Sequence, residues 1–169
     1  MDEQAYKQTY HEVNNQRCVF EKMMLLRYGS CEQAQKLLLA ERETMSCLSS
    51  SGQKNCQLLL NISRQKARFS LQITQANAPL PHAKELKVQA GSLYGLQQYL
   101  LHKDTSQTTE LNDEKLKFDN KTSQPIPNII KTINAALKQF NQIELFPYEQ
   151  MIKSIMHFTL PTRRRSRKK

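Results

Sequence analysis

The chain has 169 residues, a net charge of +10, and only 7% aromatic residues with no tryptophan. That length carries one ordinary core with at most a short appendage. Met1 to Gln16 has no continuous apolar segment and no apolar run exceeds four residues, as at Leu37 to Ala40, which argues against a secretory leader and a membrane span. A cytoplasmic address with reduced thiols is the expectation that follows.

Val19 to Tyr28 is rich in helix formers and stops at Gly29, a residue that tolerates the left-handed conformation closing many helices, so a first helix is predicted there. Ser30 with Gln33 makes a capping-box pattern, and no Gly or Pro follows until Gly52, which predicts a second helix over Cys31 to Cys47. Ser49 to Gly52 reads as a turn, and Ser50 with Gln53 repeats the capping pattern ahead of a third helix. Phe69 to Thr74 and Leu86 to Ala90 alternate apolar and polar, which admits a short β-hairpin near 69–90 beside the preferred continuous helix from Lys54 to about Ile73. Gly91 to Leu101 reads as a short helix. From His102 to Pro125 the composition is that of a polar linker. Ile129, Ile130, Ile133, Leu137 and Phe140 recur at helical spacing, and Pro147 opens a last helix with Met151, Ile152, Ile155 and Met156 on one side.

The predicted fold is therefore mainly α, built of antiparallel helical hairpins. Residues 1–102 form a cysteine-bearing domain of three helices, 103–125 a polar linker, 126–160 two C-terminal amphipathic helices and 161–169 a basic tail.

Cys18, Cys31, Cys47 and Cys56 are the only cysteines, and their clustering in the first third of the chain suggests a shared purpose. The intervals C-x12-C-x15-C-x8-C lack the short knuckle spacing that delivers two thiolates to zinc. An unbroken helix would hold Cys31 and Cys47 about 24 Å apart, too far for one ion unless that helix breaks. Helical hairpins instead bring Cys47 level with Cys56, with Cys18 and His11 approaching from the first helix. Cys31, at a helix start, would carry a thiol lowered by exposed amides and the helix dipole. Against any centre stands the plain alternative that buried cysteines pack as small apolar groups.

Other chemistry finds little footing. Glu21, Glu41 and Glu43 lack a Glu-x-x-His partner for di-iron work and read as ion-pair partners of Arg42, Arg64 or Arg68. His82 reads as an exposed loop histidine. No dinucleotide fingerprint, P-loop, nucleophile elbow or zincin motif occurs, so an enzyme reading has no positive support. Arg163, Arg164, Arg165, Arg167, Lys168 and Lys169 supply six of the ten net charges and suit phosphate contact on nucleic acid without reading its sequence. Their bland counterpart is a solvated end that only aids solubility.

The stretches "CVFEK" from Cys18, "CEQAQKLLLAERE" from Cys31, "RQKARFSL" from Arg64 and "LPHAKELKVQAG" from Leu80, with Cys47 and Cys56 between them, resemble a family of small, functionally uncharacterised proteobacterial proteins with four spaced cysteines. The resemblance implies that all four cysteines belong to one motif and one cluster; it carries no mechanism. The expectation is a non-catalytic binding or regulatory protein with zinc or an iron-sulfur cluster on Cys18, Cys31, Cys47 and Cys56, and nucleic acid as partner of the tail. Its rivals are a thiol-redox protein using Cys47 and Cys56, and an adaptor that binds another protein through the C-terminal helices.

Overall fold

A computed structural model describes residues 3–39, 41–73, 79–105 and 125–159. Most of the predicted linker and the whole basic tail lie outside these residues. The fold is mainly α: α1 (Glu3–Val13), α2 (Glu21–Leu25), strands β1 (Ala34–Leu39) and β2 (Arg42–Cys47), then α3 (Ser50–Ala67), α4 (His82–Thr105), α5 (Ile129–Phe140) and α6 (Tyr148–His157). None of the described helices is long and apolar enough to cross a membrane.

The predicted helix over Cys31 to Cys47 is instead an antiparallel hairpin, with Ala34 opposite Cys47 and Leu39 opposite Arg42. The residues are good helix formers, yet Leu37, Leu38 and Leu39 are consecutive and would point around a helix rather than along one stripe. The surroundings favour a strand as well. The segment before α2 lies along the free edge of β2, with the Cys18 amide donating to the Met45 carbonyl (2.9 Å) and the Cys47 amide donating to the Gln16 carbonyl (2.7 Å). A buried carboxylate, Glu21, accepts from the Met45 amide at 3.1 Å and from the Tyr10 hydroxyl at 2.9 Å. A helix would forgo these bonds, and tertiary context overrides weak local propensity.

The first predicted helix shortens to Glu21–Leu25. The left-handed residue after it is Arg27 (φ 62°), not Gly29. Gly29 matters for closeness: a Cβ there would stand 2.9 Å from Met23 Cε, because the chain at Ile126 pairs alongside it. The third helix is capped by Ser49, whose side chain accepts from the Gly52 amide, one residue earlier than the capping pattern implied.

The alternative β-hairpin near 69–90 does not form, since 82–90 are the first turns of α4 and α3 ends at Ala67. From Leu86 to Leu96 α4 has only Lys87 outside the fully buried class. A helix enclosed on all sides has no polar face, which is why its sequence lacks a clear helical period. Gly91 and Gly95 lie one turn apart on α4, and α6 seats against them: added Cβ atoms would stand 2.6 Å from Ile155 Cα and 2.7 Å from Met151 Cα. Met151 and Ile155 are fully buried, so the apolar side of the last helix is used internally, with Met156 half exposed. Both C-terminal helices form where the apolar spacing predicts them.

Candidate metal centre

The hairpin changes the geometry of the cysteines. Cys47 ends β2; Cys18 runs beside it on one edge, and Cys31 precedes β1 on the other, its carbonyl accepting from the amide of Ala34, the residue paired with Cys47. The chain then turns at Ser49, and the second turn of α3 brings Cys56 beneath. Cys18, Cys31, Cys47 and Cys56 all line one small cavity of about 20 Å³, roughly one water-sized sphere. Its walls include Phe20, Ala34 and Gly52, and its far side is closed by Ile129 and Ile130 from the first turn of α5. A Cβ at Gly52 would meet Ile130 Cδ1 at 2.9 Å, so the absence of a side chain there lets α5 approach.

The four thiols are free. Cys18 Sγ lies 3.7 Å from Met24 Sδ, and Cys47 Sγ donates to the Ser49 carbonyl at 3.3 Å. Among the described residues no three His, Cys, Asp or Glu side chains stand gathered at coordination geometry. The thiols thus share a wall around one space and are not drawn onto a common point.

Of the two groups weighed as a fourth beside Cys18, Cys47 and Cys56, Cys31 lines the cavity, as in the four-cysteine expectation, and His11 does not. His11 is exposed at the end of α1, its ring edge-on to Tyr10 at 5.7 Å. Cys31 is not at a helix start, which removes the reason for a dipole-lowered thiol. The carboxylates likewise pair elsewhere than expected: Glu21 with Arg17 (3.6 Å) and Glu43 with Lys36 (2.6 Å), while Arg64 pairs with Glu85 (2.6 Å).

Burial pushes the Cys18 thiol up to about 12, opposed by the Phe20 amide and reinforced by Cys47, Cys31 and Glu21 nearby. Cys56 is also pushed well above the ordinary thiol, first by burial and then by Cys18, Cys31 and Cys47. Each thiolate would make its neighbours harder to ionise, and a cation in the cavity reverses the sign of that interaction. A buried thiol with a raised pKa is also a slow nucleophile, so Cys56 is poorly suited to thiol exchange.

These shifts set a pH dependence for the metal-free protein. Burial raises the Cys18 thiol from 9.0 to about 12, so its contribution to folding stability is full below pH 9 and is lost as pH rises toward 12. The buried Tyr10 hydroxyl, raised by burial and by Glu21, acts in the same direction. Urea melts of metal-free protein between about pH 8 and 11 are expected to show stability falling by a few kcal/mol, and Cys18→Ala should flatten that slope.

Nothing in the family models, the curated proteins or the solved structures matches the chain. Ile129 and Ile130 are the site residues that sequence reading misses. They are far from Cys56 in sequence, and no local pattern marks them as its neighbours.

Proposed function

We propose that this is a non-catalytic binding or regulatory protein in which Cys18, Cys31, Cys47 and Cys56 hold one zinc ion and the cationic tail contacts nucleic-acid phosphate. The observation that carries the metal reading is the convergence of four cysteines from three separated segments on one enclosed cavity. Four thiolates form a closed structural zinc set, with no position left for substrate. A space of about 20 Å³ favours a single ion over an iron-sulfur cluster. Bound there, zinc would cross-link the segment before α2, both ends of the hairpin and the start of α3. The tail reading rests on its six clustered cations alone.

Anaerobic purification followed by elemental analysis and a visible spectrum tests the centre. About one zinc per chain, no visible absorption and a marked loss of thermal stability in chelator are expected. Brown protein containing iron and sulfide would replace zinc with a cluster, and metal-free protein indifferent to chelator would discard the centre.

A further inference from the structure

A second, open groove of about 820 Å³ runs along α3 on the other side of Cys18. We propose that it binds a nucleotide, either free or as a unit of a single nucleic-acid strand. The proposal is independent of the thiolate centre.

The groove is built around one face of α3. Gln53, Gln57, Asn61 and Gln65 succeed one another at four-residue steps, so their carboxamides line up along the helix, and Arg64 and Arg68 continue the same face. From Gln53 to Arg68 the stripe is about 22 Å long, matching about six nucleotides at a rise of 3.4 Å. Opposite it stand Arg17 and Lys22, with Val19 and Leu80 supplying apolar wall.

The charges in this groove are not all spent. Its two carboxylates are engaged: Glu21 faces Arg17 at 3.6 Å, and Glu85 holds Arg64 through two bonds of 3.1 and 2.6 Å. Among the described residues neither Lys22 nor Arg68 has an acidic partner. Among the described residues Arg68 Nε, shut off from solvent, has no hydrogen-bond acceptor. Two uncompensated cations therefore flank a row of amides in which Gln53 Nε2 donates to the Arg17 carbonyl at 2.7 Å and Gln57 Nε2 to Asn61 Oδ1 at 2.8 Å, leaving their remaining donors and acceptors turned to the groove.

That combination distinguishes among anions. Phosphate alone needs the cations but makes no use of four carboxamides. Carboxamides present a donor and an acceptor side by side, the pattern that matches a base edge. The guanidinium planes can lie against a base where aromatic rings are lacking, and the apolar wall covers its other face. An acidic peptide would meet the carboxylates of Glu21 and Glu85 in the same groove.

Fluorescence anisotropy on the full chain tests this, with Arg163, Arg164, Arg165, Arg167, Lys168 and Lys169 all replaced by Gln to silence the tail. The probes are fluorescein-labelled oligo-A and oligo-U of about twelve nucleotides, with ATP and inorganic phosphate as competitors. The tail-silenced protein should bind a labelled strand. Lys22→Gln with Arg68→Gln should weaken binding at least about tenfold and lower the salt slope by about 2. Gln57→Ala with Asn61→Ala, both at exposed positions, should weaken binding with the salt slope unchanged. Displacement by ATP assigns the site to free nucleotide, and displacement only by unlabelled strand assigns it to nucleic acid. The proposal is overturned if the Lys22 and Arg68 changes leave affinity untouched, if phosphate competes as well as ATP, or if silencing the tail removes all binding. The last result would leave the tail contact standing.

Discussion

Replacing Cys31 by Ser should empty the proposed zinc site as thoroughly as replacing Cys56, while His11→Ala should keep a full complement of metal. This pair of variants separates the two ligand sets that the cysteine spacing and the hairpin respectively suggest. With a helix over residues 31–47, Cys31 would be remote and His11 the fourth ligand. With the hairpin, Cys31 reaches the cavity and His11 stays outside it, against Tyr10. Loss of one thiolate from a closed set should lower zinc affinity by at least about tenfold to a hundredfold. Because metal binding in such sites is coupled to folding, Cys31→Ser should also lower Tm markedly in zinc-containing buffer. The measurements are metal content after gel filtration and thermal melts with and without chelator. Zinc retained in Cys31→Ser and lost in His11→Ala would show the ligand assignment to be wrong.

Gly91→Ala and Gly95→Ala should each cost about 2–3 kcal/mol, despite alanine being the better helix former by about 1 kcal/mol. The reason is the identity of the atoms in the way. At Gly91 the added carbon would meet Ile155 Cα at 2.6 Å, and at Gly95 Met151 Cα at 2.7 Å. Backbone cannot rotate aside as a side-chain end can, so α6 must lift off α4, opening space around Ile155 and Met151, both fully buried. For a chain of this size that corresponds to a fall in Tm of about 5–10 °C. The two sites share one neighbour helix, so the double variant should depart from simple addition. Gln98→Ala, at an exposed position on α4, is the control and should leave Tm within a degree or two. Unchanged melting of Gly91→Ala would mean that the two helices do not meet this closely.

The parts of the fold legible in sequence are those held by one strong local signal. The helix Ile129–Phe140 has isoleucines at helical spacing and Asn128 as its cap, accepting from the Lys131 amide at 3.4 Å. The last helix follows Pro147, and the turn before α3 is marked by its serines and Gly52. Where signals are weak or compete, sequence reading fails in a physically intelligible way. The hairpin at 34–47 is built from helix-forming residues whose strand state depends on partners at Gln16, Cys18 and Glu21. The buried α4 has alternation resembling a strand at 86–90 because all its faces are covered. Gly91 reads as the start of a short helix, whereas it and Gly95 lie inside α4 as a seat for another helix.

For the candidate site the division is similar. From sequence alone come the identity and clustering of Cys18, Cys31, Cys47 and Cys56, the lack of any catalytic motif, and a mainly helical chain with a concentrated cationic end. Those depend only on composition and order. Tertiary structure alone decided that the four thiols line one cavity, that His11 stays outside it, and that Ile129 and Ile130 close it. Each depends on backbone hydrogen bonds and packing between segments far apart in the chain, such as the Ser30 amide donating to the Ile126 carbonyl at 2.9 Å. Local propensity carries no information about contacts of that range, because they exist only once the core has formed.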